Sequence, residues 1–179
     1  MSNERHRHVV ILGMMGAGKT TIAALLAEEL GRPRRDSDHD IESMTGRTGR
    51  QIAVEDGVDE LHHLEEKVLL GALRSTEPSI ISAAGWVVES PRCRVAIRHG
   101  AVAVWLRLSS EDLRTRMDEG THRRDLSGEQ LTELIARRDP LFLDLADIVV
   151  DARRTPSEIV DELVRAIDQA PPSDDDRPS

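Results

Sequence analysis

Near the start of the chain, Gly13-Met14-Met15-Gly16-Ala17-Gly18-Lys19-Thr20 fits the pattern G-x-x-x-x-G-K-[ST]. Glycines at this spacing let a backbone fold into a nest of inward-pointing N–H groups, which suits phosphate oxygens. The lysine adds a point charge near a transferring phosphoryl group, and the hydroxyl that follows can ligate Mg2+. The candidate nucleotide-binding residues are therefore Gly13, Gly16, Ala17, Gly18, Lys19, Thr20 and the adjoining Thr21. A merely tight strand-to-helix turn is the competing reading. The position of the motif, between a buried strand and a helix, argues for a bound nucleoside triphosphate, because that context confirms the motif and the helix adds its positive dipole end.

A second group is Arg35-Asp36-Ser37-Asp38-His39-Asp40-Ile41-Glu42. Carboxylates delivered to the same sheet edge as the loop can hold a hydrated Mg2+ and orient a substrate hydroxyl, two tasks that phosphoryl transfer leaves to the protein. An Asp at a helix start is equally a plain cap, and spacing alone does not separate the two readings. A third stretch, S-I-I-S-A-A-G-W-V-V over residues 79–88, ends an apolar run in Gly85 with Trp86 beside it. Glycine at such a place signals close backbone approach.

These residues need elements to position them. His8 to Gly13 is a continuous apolar run, as expected for a strand buried on both faces of a parallel sheet, and Thr21–Leu30 has helical spacing and stops at Gly31-Arg32-Pro33. Asp59–Leu73 carries an apolar helical stripe, and Ser79–Ala83 and Val102–Leu108 read as strands. Ser109 to Asp112 reads as a cap and acidic first turn, Gly128–Arg138 as a helix and Ile148–Val150 as a last strand. Thr155-Pro156-Ser157-Glu158 opens a terminal amphipathic helix. Strands alternating with helices predict an α/β, doubly wound parallel sheet.

With 179 residues, one domain is expected; 24 basic against 33 acidic side chains leave a charge of −9, which argues against a nucleic-acid or anionic-membrane surface. The single cysteine, Cys93, excludes an internal disulfide and fits a reducing cytoplasm. Aromatics make up 2% with no Tyr, so base-stacking platforms are not expected. The N-terminus lacks the apolar stretch of a signal peptide, and no run approaches a membrane span.

Taken with Thr45-Gly46-Arg47, Asp56-Gly57, Glu65-Glu66, the strand into Gly85, and Arg137-Arg138-Asp139-Pro140-Leu141-Phe142, these motifs resemble the shikimate kinase family from Val9 to about Ile167. That family comprises small P-loop kinases of the nucleoside monophosphate kinase type. The resemblance implies a three-layer P-loop kinase fold, a five-stranded parallel sheet with helices on both faces. It also implies a lid, at about 118–127, within the one domain expected over 1–169; the composition of 170–179 reads as a disordered acidic tail. The cofactors implied are ATP and Mg2+. Lys19 and Thr20 would serve phosphates and metal, Asp36 would hold the metal through water, and Asp38 would position or deprotonate the acceptor hydroxyl. Arg138 would pair with an acceptor carboxylate, Arg116 and Pro156 would sandwich adenine, and Arg124, with Arg123 as alternative, would be the lid arginine.

The chain departs from the family pattern twice. Leu61-His62-His63-Leu64-Glu65 puts His62 where the family carries a second carboxylate-clamping arginine, and His cannot form a bidentate fork. The family's Gly-Gly-Gly is here Ala84-Gly85-Trp86, so that Trp86 either faces the pocket as an apolar platform or packs behind it. Gly85 is expected to lie against the acceptor. The expected activity is transfer of the ATP γ-phosphoryl to a hydroxyl of shikimate or a related small hydroxylated acid. Two alternatives stand beside it: a different acceptor (cyclitol, sugar acid or nucleoside), or a non-catalytic ATP-binding regulator. The expected partner is a small-molecule acceptor, with no nucleic acid and no membrane, for a monomer in the cytoplasm.

Overall fold

The computed structural model describes residues 7–119 and 128–170. Its first strand, β1 (His8–Leu12), is buried along its whole length, as an apolar run covered on both faces must be. The chain then runs through α1 (Lys19–Leu30), β2 (Arg34–Asp36), α2 (Ser37–Thr45), α3 (Gly49–Glu55), α4 (Val58–Leu73) and β3 (Ile80–Ser82). A 3₁₀ turn (Gly85–Glu89), α5 (Pro91–Gly100), β4 (Ala101–Arg107), α6 (Ser110–Glu119), α7 (Gly128–Leu145), β5 (Ile148–Asp151) and α8 (Pro156–Ile167) complete it.

The five strands form one parallel sheet in the order β2-β3-β1-β4-β5, with Val10 paired to Ile81 on one side and to Ala103 on the other. The crossover through α1 runs toward one edge, and those through α4, α5 and α7 run toward the other. Because such crossovers are right-handed, the two sets of helices fall on opposite faces. The α8 helix packs beside α1. This is the α/β architecture expected, and it brings the carboxyl ends of β1, β2 and β3 to one edge, where ligands bind in open α/β sheets.

Two apolar cores are present. The main one centres on β1, β4 and the inner faces of α1, α7 and α8, and includes Trp105 stacked on Phe142. A small separate one joins α2, α3 and the first half of α4 through Ile41, Ile52, Leu61 and Leu64. Helix α4 spans both, because its later residues Leu69 and Ala72 belong to the main core.

Several boundaries differ from the sequence reading. Helix α7 continues past Arg138 through Pro140 to Leu145: the proline forgoes one backbone bond on an exposed face, while Phe142 and Leu145 beyond it bury apolar side chains. The short helices α2, α3 and α5 are additional. Of the tail expected at 170–179, Ala170 is buried against the core, and residues 171–179 lie outside the described residues. Beyond the end of α6 the expected lid, with Arg123 and Arg124, also lies outside them. Among the described residues no helix is long and apolar enough to cross a membrane.

Candidate active site

The loop between β1 and α1 takes the shape its glycines permit. Gly13, Gly16 and Gly18 have φ of 147°, 86° and 92°, and a Cβ on Gly13 would stand 2.8 Å from the carbonyl oxygen of Leu106. Ala17 N–H donates to the Met14 carbonyl at 3.2 Å, closing the turn over the start of α1. Lys19 Nζ lies over this loop and donates to the carbonyls of Gly13 and Met14, both at 3.0 Å. Burial pushes the lysine down to about 8, against the opposing charges of Asp38, Asp36 and Glu65 and helped by Arg138. These four charged groups thus converge on Lys19 from α2, the end of β2, α4 and α7. Thr21, by contrast, is exposed in the first turn of α1.

Asp36 makes two sets of contacts at once. Its Oδ1 accepts from the backbone N–H of Asp38 at 3.1 Å and of His39 at 3.4 Å, which caps α2. Its Oδ2 accepts the hydroxyl of Thr20 at 2.9 Å. A carboxylate and a hydroxyl side by side are hard oxygen donors, and among the described residues no group of three or more acidic, His or Cys side chains is placed to hold a metal. That donor set fits Mg2+, which keeps most of its shell as water and phosphate oxygen and takes only one or two protein oxygens. Asp38 stands exposed in the first turn of α2, close enough to Lys19 to influence its charge.

The close approach expected at Gly85 is made by the phosphate loop itself. A Cβ there would come within 3.2 Å of the Gly13 carbonyl oxygen, 3.4 Å of Arg138 Nη1 and 3.9 Å of Met14 Cα. Arg138 is buried at 6% exposure, donates from Nε to Glu89 at 2.6 Å and has Nη1 4.0 Å from Met14 Sδ. Next to Gly85, Trp86 of the 3₁₀ turn is stacked by His62 from α4, with ring centroids 4.2 Å apart. The two departures from the family pattern are therefore one contact, and both rings are half-buried.

Arg116 reaches from α6 to the loop: Nη1 donates to the carbonyls of Gly16 (3.5 Å) and Ala17 (3.4 Å), and Nη2 to Ala152 (2.6 Å). Ala152 lies in the turn that leads to Pro156, the exposed first residue of α8. Arg116 and the turn before Pro156 are thus joined beside Gly18, while Arg124 is among the undescribed residues. A cleft of about 650 Å3 between the ends of β4 and β5 and α7 is lined by none of these residues.

Two participants were not singled out as site residues from sequence. Glu65, which the resemblance included only as a motif, is buried at 4% exposure within electrostatic reach of Lys19. Glu89 carries no local signal: its partner Arg138 lies 49 residues away, and such pairs have no spacing rule.

The shikimate kinase family model matches residues 15–168. Shikimate kinase of Pseudomonas syringae pv. tomato is 33% identical over 171 residues, spanning 93% of this chain and 99% of that protein. The shikimate kinase of Rhizobium meliloti is 34% identical over 166 residues, covering 90% and 85%. Among solved structures, shikimate kinase from Acinetobacter baumannii in complex with shikimate superposes with a TM-score of 0.84 at 26% identity, covering 92% of this chain and 94% of that one. A gluconokinase from Sinorhizobium meliloti shares the fold at a TM-score of 0.63, 18% identity and coverage of 92% and 93%. With its sheet order, phosphate loop and nearly full-length match all in agreement, the chain belongs to the shikimate kinase family of ATP-dependent kinases that phosphorylate a hydroxyl group.

Proposed function

We propose that this chain transfers the γ-phosphoryl of ATP to a hydroxyl of shikimate, with Mg2+ as the metal. The observation that carries the reading is the convergence on Lys19 of Asp36, Asp38, Glu65 and Arg138, from four separate elements, at the mouth of the phosphate loop. The shikimate bound to the Acinetobacter relative supports the choice of acceptor.

In this reading the loop N–H groups and the dipole of α1 hold the phosphates, and Lys19 swings from the Gly13 and Met14 carbonyls to the transferring group. Thr20, and Asp36 through water, would hold a Mg2+, which would supply charge neutralisation to the phosphates. Asp38 aligns the attacking hydroxyl and accepts its proton, the task left to a positioned carboxylate when transfer is largely dissociative. Arg138 receives the acceptor's carboxylate beside Gly85. Arg116 and Pro156 flank the adenine, and Arg124 closes from the lid. The reading includes a single kinase domain over 1–169, acting as a monomer in the cytoplasm.

A second acceptor is favoured by one observation. Where a guanidinium fork is expected, an imidazole lies flat on the Trp86 indole, which weakens the grip on a carboxylate and offers an apolar edge instead. A related hydroxylated acid or cyclitol fits that wall. The deciding experiment is coupled ADP release with Mg-ATP, comparing shikimate with cyclitols, sugar acids and nucleosides and using Lys19→Ala as blank. Shikimate-dependent turnover far above the blank is expected. Turnover with another acceptor only would reassign the substrate, and silence with all of them would favour a nucleotide-binding regulator.

A further inference from the structure

The 3₁₀ turn that brings Gly85 against the phosphate loop also ends in Glu89, and nothing in the proposed chemistry uses that carboxylate. The turn is anchored by Val87 and Val88, both fully buried, so its last residue is held at a fixed place in the fold. From there Glu89 accepts Arg138 Nε at 2.6 Å, and it also meets Arg137, whose Nε lies 3.1 Å from the other carboxylate oxygen. Burial opposes ionisation of Glu89, yet the hydrogen bonds from Arg138 and Arg137 overcome it and hold the carboxyl below its usual range. The acid is therefore charged, and it is gripped by two guanidiniums.

Arg138 needs such a partner. It is buried, and it stands close enough to Lys19 that the two positive charges oppose each other. A guanidinium has two usable edges, the Nε side and the Nη end. Here the Nε side goes to Glu89, and Nη1 turns toward Gly85 and Met14 at the mouth of the loop.

We propose that Glu89 is a positioning residue for acceptor binding: by occupying the Nε edge of Arg138 it aims the Nη end toward Gly85 and Met14. An acceptor carboxylate then meets Arg138 end-on through its two Nη groups. The proposal rests on the reading of Arg138 as the acceptor's anion contact, and its test separates the two.

The experiment measures steady-state kinetics of the full chain for Glu89→Ala, Glu89→Gln, Arg138→Ala and the double variant Glu89→Ala/Arg138→Ala, with shikimate and ATP varied separately. Binding of shikimate without nucleotide, read by tryptophan fluorescence, and thermal melts accompany it. Glu89→Ala is expected to raise the shikimate KM and Kd roughly tenfold, the loss of a charge-assisted hydrogen bond, with the ATP KM and kcat within about twofold. Glu89→Gln keeps an acceptor for Nε–H and is expected to restore most of the affinity. In the Arg138→Ala background, removal of Glu89 is expected to add nothing. If Arg138→Ala raises the shikimate KM while Glu89→Ala does not, the positioning role is overturned and the Arg138 reading survives. Equal losses in kcat and in both KM values, additive with Arg138→Ala, would show a general structural role and overturn it too. An Arg138→Ala variant with unchanged shikimate affinity would overturn the Arg138 reading itself, and the proposal with it.

Discussion

The imidazole of His62 lies flat against the indole of Trp86, with ring centroids 4.2 Å apart and planes 8° from parallel. One residue comes from α4, whose first half belongs to the small core, and the other from the 3₁₀ turn beside the phosphate loop. The stack therefore ties the α2–α4 region to the sheet, and it gives one face of the indole to an imidazole. Stacked aromatic pairs contribute about 0.5–1.5 kcal/mol beyond the area they bury. A urea-denaturation cycle of His62→Ala, Trp86→Ala and the double variant is expected to return a coupling energy in that range. Strict additivity would mean the contact is incidental. A His62→Arg variant keeps a group that stacks on indole and adds a fork for carboxylates, so it is expected to lower the KM for an anionic acceptor several-fold.

The double role of Asp36 leads to a separation of stability from turnover. Asn caps helices about as well as Asp, whereas Ala costs ~1 kcal/mol at such a position. Asp36→Asn is therefore expected to melt within about 2 °C of the parent while losing most of its turnover, because the charge beside Thr20 is gone. Asp36→Ala is expected to lose both turnover and several degrees. Should Asp36→Asn melt as low as Asp36→Ala, the start of α2 would depend on the carboxylate's charge and not on its cap geometry.

The phosphate loop was legible because its information is local: eight consecutive residues set both backbone shape and chemistry. The same holds for α8, which opens at Thr155 to Glu158 as expected, with a capping box across those residues. Helices α2, α3 and α5 have equally local caps in Asp36, Thr48 with Gln51, and Ser90 before Pro91. They are short, with 9, 7 and 10 residues, so each offers two or three turns at most in which an apolar period can show. Pro140 works in the opposite sense. Proline reads as a stop, but burial of Phe142 and Leu145 one turn beyond it outweighs one lost backbone bond. The contacts of the 3₁₀ turn, His62 with Trp86 and Glu89 with Arg138, join different elements, and no spacing within either segment encodes them.

Lys19 supplies the sharpest dependence on pH. Burial lowers it from its ordinary 10.5 to about 8, so at that pH roughly half of the free enzyme carries a neutral lysine. Phosphates brought against the lysine favour its charged form, and binding must then take up protons from solution. Calorimetry of nucleotide binding at pH 8, in two buffers of different ionisation enthalpy, is expected to report uptake of about half a proton per site. The uptake should vanish at pH 6.5, where the lysine is already charged, and should be absent in Lys19→Met. Nucleotide affinity and kcat/KM for ATP are expected to fall above pH 8. The stability effect has the opposite direction: between about pH 8 and 10.5 the unfolded chain holds a proton that the folded chain has released, so this group makes stability rise with pH across that window. Heats that do not depend on buffer at pH 8 would mean the lysine stays charged in the free enzyme. Its contacts with the Gly13 and Met14 carbonyls, and the acidic groups of α2 and α4, would then outweigh its burial.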